Sequence, residues 1–303
     1  MILAVCPNPS VDTYLYMDTF NIKGSSRVTN KESYAGGKGI HVAMAIAELG
    51  EDVSLLAFWG GERGQWMKSE CGKLGIKCFG PELKNNNRTC ITIKSAGEND
   101  DTEILENGPE ISEQDYKKFI EDFKLNIATA DVVSMSGSWP PGAPNYAYAE
   151  MVKVCNENNI PHILDATGIK MHNALLENPY GIHINKDEAK ELFGTDQSEE
   201  ALKAIQKDIK LIALTAGSKG LYLRKDEKTV HANVVLSSVY SAVGSGDCLT
   251  AGLSMALKNN KHIEDTAIIA TACGAANCLR PELGMLYKED VLKLEKEVKL
   301  MQY

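Results

Sequence analysis

The chain has 303 residues, enough for one large α/β domain or two small ones. Its formal net charge of −9 argues against non-specific binding to nucleic acid, which needs a basic surface. No apolar run is long enough to span a bilayer, and the eight cysteines form no Cys-x-x-Cys pair, so we expect a reduced, cytoplasmic protein.

Short apolar runs typical of buried strands alternate with helical patterns along most of the chain. The run at 2–6 lacks the basic start of a signal peptide and is interpreted as a strand. Similar runs predict strands at 53–58, 131–135, 162–166, 181–184 and 211–215.

Helical patterns lie between these runs. Residues 38–49 carry an apolar stripe that ends at Gly50, and Ser112 with Asp115 is typical of a helix N-cap. Repeated alternation of strand and helix predicts an α/β fold, in which a mostly parallel central sheet is covered by helices on both faces.

Two segments, 11–28 and 88–105, interrupt this alternation with mixed polar and apolar residues. They predict a small antiparallel accessory sheet, although a plain surface meander accounts for them equally well. Since the sequence contains no repeat, low-complexity tract or linker, the expected organisation is one domain over 1–303 together with this accessory sheet.

A lone carboxylate, Asp247, follows Gly244, Ser245 and Gly246 at the predicted start of a helix. Small residues allow a tight turn whose backbone N–H groups point outward, and a helix N-terminus adds partial positive charge that suits phosphate. Such an aspartate can accept a proton from a hydroxyl group during phosphoryl transfer. The alternative is an ordinary loop in which the aspartate only caps the helix.

Two further motifs lie near the N-terminus: Asn-Pro-Ser-Val-Asp at 8–12 and Ala-Gly-Gly-Lys-Gly-Ile-His at 35–41. With the motif at 244–247 they occur in the order typical of the PfkB (ribokinase-like) family of sugar kinases, which the chain resembles over essentially its whole length. The resemblance implies a three-layer α/β/α sandwich, with ATP and Mg²⁺ as cofactors. It also implies that the accessory sheet covers the sugar as a lid, and in several family members this lid forms a homodimer contact.

The resemblance also implies which residues form the site. Asp247 would act as the base, and the backbone around Gly244, Ser245 and Gly246 would stabilise the transferred phosphoryl group. The expected sugar-side residues are Asp12, Gly36, Gly37, Lys38, His41, Arg88, Ser136 and Gly137. The expected nucleotide-side residues are Asn185, Thr215, Gly217, Gly220 and Gly246, with Glu188 helping to hold Mg²⁺ through its waters.

Arg88 stands where the phosphosugar branch of the family keeps a phosphate-binding arginine. The acceptor is therefore expected to carry a phosphate already, and Lys38 is expected to help neutralise it. Residues 102–111 resemble tagatose-6-phosphate kinases, and residues 281–284 resemble 1-phosphofructokinases at least as well. The preferred acceptor is tagatose 6-phosphate and the alternative is fructose 1-phosphate.

Two histidines depart from the family pattern. His41 stands where an asparagine is usual, and His183 stands where many phosphosugar kinases carry a lysine near the ATP phosphates. A catalytically inactive sugar-phosphate sensor therefore remains an alternative. The intact motif at 244–247 favours a kinase.

Overall fold

A computed structural model of the chain describes residues 1–96, 101–205 and 208–302. Part of the predicted segment 88–105, residues 97–100, lies outside the described residues. The strands are β1 (Ile2–Cys6), β2 (Ser10–Met17), β3 (Asn30–Gly36), β4 (Val53–Ala57), β5 (Trp59–Gly60), β6 (Lys77–Phe79), β7 (Glu82–Leu83), β8 (Arg88–Ser95), β9 (Thr102–Leu105), β10 (Val132–Ser136), β11 (His162–Asp165), β12 (Gly181–Asn185), β13 (Leu211–Thr215), β14 (Leu221–Lys225), β15 (Lys228–Asn233) and β16 (Lys299–Gln302). The helices are α1 (Lys38–Glu48), α2 (Gly61–Lys73), α3 (Glu113–Ile127), α4 (Ala147–Glu157), α5 (Gly168–Leu175), α6 (Lys186–Phe193), α7 (Ser198–Ala204), α8 (Ser245–Lys258), α9 (Ile263–Asn277) and α10 (Lys288–Leu294).

The main sheet runs in the order β16-β15-β14-β13-β12-β11-β10-β1-β4-β6. Neighbouring strands from β13 to β6 are parallel, and β14, β15 and β16 extend the sheet with antiparallel pairings. All the strands predicted from apolar runs lie in its parallel part, with bounds that agree within one or two residues. The predicted α/β fold with a mostly parallel central sheet is confirmed.

Strand β1 shows why helices cover both faces of this sheet. Leu3 and Val5 pack into the apolar core beneath α3 to α7, whereas Ile2, Ala4 and Cys6 pack into the core formed with α1, α2, α8, α9 and α10. Because side chains of a strand alternate between faces, a continuously apolar strand needs a hydrophobic layer on each side. No helix within the described residues is long and apolar enough to cross a membrane.

The predicted cap at Ser112 is confirmed. Its hydroxyl accepts a hydrogen bond from the Asp115 N–H at 3.2 Å, and the Asp115 carboxylate accepts one from the Ser112 N–H at 2.9 Å. This reciprocal pair fixes the start of α3.

The accessory sheet has the order β3-β2-β8-β9 and is antiparallel in its two outer pairings. Its central pairing is parallel, with Ser10 opposite Arg88 and Met17 opposite Ser95. The segment 11–28 was expected to form part of the accessory sheet together with 88–105. Its strand β2 ends at Met17, and β3, which pairs with β2, lies at 30–36, beyond the predicted segment. The polar residues of β3 gave no strand signal, because most of that strand remains at least partly exposed.

Candidate active site

The parallel strands of the main sheet place their following loops along one edge, where open α/β sheets bind ligands. Strand β1 leads into the accessory sheet, and strands β10, β11, β12 and β13 end at Ser136, Asp165, Asn185 and Thr215. Helix α8 packs on β10 and β11. The sequence-predicted residues of both substrates therefore meet at this edge.

Asp247 lies in the first turn of α8 and is only 6% exposed. The N-cap Gly244 adopts the left-handed φ of +85°, which a residue without Cβ adopts at little cost. The Ser245 N–H is taken by the Ala242 carbonyl at 3.1 Å. The first-turn amides of Gly246 and Asp247 have no backbone partner within the described residues and remain for an anion.

His41 connects Asp247 to Asp12. Its Nδ1 lies 2.8 Å from Asp247 Oδ2, and its Nε2 lies 3.2 Å from Asp12 Oδ2. Burial lowers the pKa of the imidazole, but the two carboxylates outweigh burial and raise that pKa to about 10. At neutral pH the site therefore holds a cationic ring between two carboxylates.

The Asp12 carboxylate is enclosed by its own strand and by the turn at 36–37. The Ser10 hydroxyl donates to Oδ1 at 2.5 Å and the Gly37 N–H donates to Oδ2 at 3.3 Å. A Cβ at Gly36 would lie 2.1 Å from Asp12 Oδ2, so only glycine lets the chain pass this close. The structure thus brings the two predicted N-terminal motifs into direct contact.

Lys38 makes a contact that the sequence did not predict. Its Nζ lies 2.6 Å from Asp165 Oδ1, and His183 Nδ1 lies 3.0 Å from Asp165 Oδ2. Burial opposes ionisation of Asp165, but Lys38 and His183 outweigh it and hold the pKa of the carboxyl well below its ordinary value. Burial likewise disfavours the Lys38 cation, and Asp165 with Asp247 outweighs it, so the pKa of Lys38 lies above its ordinary value.

His183 continues this chain of contacts toward the nucleotide side. Its Nε2 lies 3.3 Å from Thr215 Oγ1, and a Cβ on Gly246 would lie 3.0 Å from its Cε1. His183 therefore lies against the first turn of α8, between Asp165 and Thr215.

The predicted glycine turn follows β13. Gly217 and Gly220 have φ values of +57° and +87°, and a Cβ at Gly220 would lie 2.2 Å from the carbonyl oxygen of Ala232. The turn therefore requires glycine and exposes backbone beside Thr215.

Asn185 and Glu188 form a capping box at the start of α6. Asn185 Oδ1 accepts from the N–H groups of Asp187 and Glu188, each at 2.9 Å, and Glu188 Oε2 accepts from the Asn185 N–H at 2.8 Å. Among the described residues no group takes Glu188 Oε1, which leaves one carboxylate oxygen for the water shell of a cation. One free carboxylate oxygen suits a largely hydrated Mg²⁺, which takes few direct protein ligands.

Ser136 and Gly137 lie beside Lys38, at the end of β10. A Cβ on Gly137 would lie 3.5 Å from the Lys38 Cβ, and the Gly137 N–H donates to the Asp165 carbonyl at 2.9 Å. Ser136 is fully buried, and its hydroxyl has no hydrogen-bond partner among the described residues.

Arg88 begins β8 and lines a pocket of about 470 Å³ together with Lys170. Its Nε donates to the Asn8 carbonyl at 3.2 Å and its Nη1 to the Glu106 carbonyl at 3.1 Å. Neither Arg88 nor Lys170 has a carboxylate within 4.0 Å in the described ranges. Two cations thus line this pocket without a salt-bridge partner among the residues that the structure describes.

Sequence reasoning missed two residues of this region. Asp165 could have been suspected, because it is the last residue but one of the predicted strand 162–166, at the ligand-binding edge. Lys170 gave no signal, since an isolated lysine in a helix is most often solvated.

A family model described as pfkB family carbohydrate kinase matches residues 8–287. Among solved structures, a candidate phosphofructokinase from Staphylococcus aureus is 26% identical, with a TM-score of 0.83 over 100% of this chain and 99% of that chain. Escherichia coli phosphofructokinase-2, in complex with fructose-6-phosphate, is 22% identical, with a TM-score of 0.88 over 97% and 98%. A candidate 1-phosphofructokinase from Thermotoga maritima is 20% identical, with a TM-score of 0.90 over 100% and 99%.

These similarities confirm the ribokinase-like fold that the motif order implied. Because the family model extends over nearly the whole chain, the protein belongs to the pfkB family of carbohydrate kinases and is an ATP-dependent sugar kinase.

Proposed function

We propose that this protein transfers the γ-phosphoryl group of ATP to a primary hydroxyl of a ketohexose monophosphate and forms the 1,6-bisphosphate. The observation that carries the reaction is the position of Asp247, buried in the first turn of α8 beside the amides that remain for an anion. The preferred acceptor is tagatose 6-phosphate, and the alternative is fructose 1-phosphate.

In the proposed reaction Asp247 accepts the hydroxyl proton while the sugar oxygen attacks the γ-phosphorus. The bond from that phosphorus to the bridging oxygen breaks, and ADP leaves with the bonding electron pair. The N–H groups of Gly246 and Asp247 face the charge that develops on the transferred group. Asp12 would accept a hydrogen bond from an acceptor hydroxyl and so orient the sugar.

The pocket beside Arg88 supports an acceptor that already carries a phosphate. Two of the N–H groups of Arg88 are used by backbone carbonyls, which fix the guanidinium in place. The carboxylate of Glu106, which also lines the pocket, accepts from the Thr89 N–H at 2.7 Å and lies 3.7 Å from Arg63. The positive charges of Arg88 and Lys170 therefore remain for a bound anion. In this proposal Lys170, rather than Lys38, is the second cation of the phosphate site, because Lys38 is paired with Asp165.

Similar proteins support the same substrate class. The Escherichia coli phosphofructokinase-2 structure contains fructose-6-phosphate, and the Thermotoga maritima protein is described as a candidate 1-phosphofructokinase. The preferred acceptor and its alternative expose their reacting hydroxyls at opposite ends of the ketohexose. A pocket that admits the sugar in either orientation would phosphorylate both.

Glu188 and Asn185 would hold the waters of Mg²⁺ on the nucleotide side, next to Thr215 and the glycine turn at 217–220. When bound, the cation would neutralise charge on the ATP phosphates. Glu188 would contribute through its unengaged Oε1, while Oε2 keeps the helix cap.

We also propose that the accessory sheet mediates a homodimer. Ile104 and Leu105 on its edge strand β9 are more than half exposed, which leaves apolar surface for a second copy. Sedimentation of the purified chain should show a dimer, and replacing both residues with lysine should shift the distribution toward monomer. A monomer in the unchanged chain would refute this assembly.

A coupled assay of ADP release tests the proposed reaction. It offers tagatose 6-phosphate, fructose 1-phosphate, fructose 6-phosphate and unphosphorylated fructose with Mg·ATP. Asp247→Asn should lower kcat by about 10²- to 10⁴-fold on the accepted sugar, because the base is lost. The matched control Asp265→Asn, an exposed residue in the first turn of α9, should leave kcat unchanged.

Turnover of unphosphorylated fructose alone would refute the phosphosugar acceptor. Binding of a sugar phosphate without turnover would instead identify the inactive sensor. Activity that survives Asp247→Asn would refute the assigned base.

A further inference from the structure

His41 contacts the acceptor-side carboxylate and the base at once. It is 4% exposed, and its two ring nitrogens face Asp247 Oδ2 and Asp12 Oδ2 at 2.8 and 3.2 Å. The contact to Asp247 has hydrogen-bond geometry. The contact to Asp12 is an ion pair, and its angle does not meet the geometry of a hydrogen bond. The contact to the base is therefore the shorter and the better aligned of the two.

Only one oxygen of Asp247 is used by His41. Within the described residues, no donor takes Asp247 Oδ1, so that oxygen stays open for an acceptor hydroxyl. Asp12, in contrast, has Oδ1 bound by Ser10 and Oδ2 facing Gly37 and His41. A fixed Oδ2 and an open Oδ1 give the base one defined orientation.

Gly284, in a loop far from His41 in the sequence, packs against the His41 imidazole. A Cβ at Gly284 would lie 2.1 Å from His41 Cγ, 2.2 Å from Cδ2 and 2.6 Å from Nδ1. The same loop touches the start of α8, because a Cβ at Gly244 would lie 2.7 Å from Gly284 Cα. Gly284 therefore lies against both the ring and the N-cap of the helix that carries the base.

We propose that His41, held in place by Gly284, is a positioning residue for Asp247, and that it sets the direction of the carboxylate oxygen that receives the acceptor proton. This inference rests on the proposed role of Asp247 as the base. The usual asparagine of the family could donate hydrogen bonds from its amide NH₂ group at this position but could not carry a charge.

The surrounding charges agree with a cationic ring. Asp12 on β2 and Asp247 on α8 are its direct partners, Lys38 on α1 acts electrostatically on Asp247, and Glu103 on β9 acts on both carboxylates. Burial raises the pKa of Glu103, and the charges of Asp12 and Asp247 add to that effect. The site thus has a surplus of negative charge, which favours protonation of His41.

A double-mutant cycle between His41 and Gly284 tests the inference. Gly284→Ala should lower kcat by about 100-fold, the cost of moving a reacting group by roughly 1 Å, because the new methyl displaces the ring. In the His41→Ala background the same change should cost less than about threefold, since only backbone strain at φ +65° remains. KM for ATP should stay within about twofold throughout, as expected if only transition-state stabilisation changes.

The pH profile separates positioning from packing. kcat/KM of the unchanged chain should fall as the pH rises through about 10, where His41 loses its proton, and this basic limb should be absent from His41→Ala and His41→Asn. His41→Asn should recover part of the kcat that His41→Ala loses. Equal costs of Gly284→Ala in both backgrounds, or a basic limb that persists in His41→Asn, would overturn the proposal.

Nitrogen NMR of the imidazole provides a readout that needs no turnover. The His41 ring should remain protonated up to about pH 10 and should titrate at lower pH in Asp247→Asn and Gly284→Ala. Gly72→Ala, where a Cβ meets nothing within 4 Å, should leave this titration unchanged. If the enzyme turns over no sugar phosphate, the proposed function fails while this titration still tests the His41 contacts. Titration of His41 near 6.5 in the unchanged chain would overturn the inference.

Discussion

The ammonium of Lys38 lies 2.6 Å from the carboxylate of Asp165, which is 1% exposed. Asp165 also contacts His183 through its second oxygen, so one buried carboxylate anchors groups from α1 and β12. The contact joins the predicted sugar side of the site to its nucleotide side.

Replacing Asp165 with asparagine should therefore destabilise the fold. The change leaves Lys38 without its counter-charge and His183 with a weaker partner. Since the Lys38 side chain is 40% exposed, water recovers part of the loss, and we expect the free energy of unfolding to fall by roughly 1–3 kcal/mol. Urea unfolding monitored by circular dichroism measures this change in the free energy of unfolding.

Asp131→Asn is the matched control. Asp131 pairs with the N-terminal ammonium on the surface and is 57% exposed, so its loss should cost less than about 1 kcal/mol. Equal and small losses for the two variants would show that Asp165 does not hold the two groups together.

Much of the fold follows from local sequence pattern. Strand β1 was predicted because a run of five apolar residues ends before Pro7. In the structure all five are buried. Strand β3 was not, since Lys31, Glu32 and Ser33 give no apolar alternation and the strand is specified mainly by its pairing with β2. A strand with few buried residues therefore leaves only a weak apolar pattern in the sequence.

The site was predicted as a set of residues, but its contacts were not. Lys38 and Asp165 are 127 positions apart and His41 and Asp247 are 206 apart, so no spacing rule joins them. The sheet order brings these residues together, because it places the ends of β1, β10 and β11 side by side. The motifs therefore predicted a set of residues that the fold brings to one edge of the sheet, while tertiary packing decided which charges pair.

Removing either cation of the pocket at Arg88 should weaken binding of a phosphorylated acceptor. Arg88→Met and Lys170→Met should each raise KM for the ketohexose monophosphate about 10- to 100-fold, because each removes a charge-assisted bond to phosphate. The value of kcat should change less, as expected for an interaction made equally in ground and transition states. Steady-state kinetics at two ionic strengths measures both quantities.

Lys153→Met, at an exposed position of α4, controls for the loss of one positive charge and should leave KM unchanged. If Lys170→Met behaves like this control while Arg88→Met does not, Lys170 has no part in phosphate binding.

Gly36→Ala should disable the site without strain in the backbone. The added Cβ would lie 2.1 Å from Asp12 Oδ2 and 2.3 Å from Asp12 Cγ, so the carboxylate must move. We expect kcat/KM for the sugar to fall by about 100-fold, the order of effect of a 1 Å displacement. Steady-state kinetics measures this, and circular dichroism verifies the fold.

Gly72→Ala provides the comparison, because its Cβ would point into open space on α2. It should keep full activity and gain roughly 0.5–1 kcal/mol of stability from helix propensity. A fully active Gly36→Ala variant would mean that Asp12 does not need its observed position.

His41 should make the stability of the protein depend on pH above neutrality. Its pKa in the folded state, about 10, lies above the ordinary value of 6.5, so the folded state holds the proton more tightly than the unfolded chain. The stabilisation is complete below pH 6.5 and is lost as the pH rises through about 10. In this window the free energy of unfolding should fall with a slope of up to about 1.4 kcal/mol per pH unit.

The difference in the free energy of unfolding between the unchanged chain and His41→Asn isolates this proton, since the other titrating groups are common to both. His172→Asn, an exposed position on α5, should show no such difference, and parallel stability curves for the chain and His41→Asn would contradict a protonated His41 in the folded state.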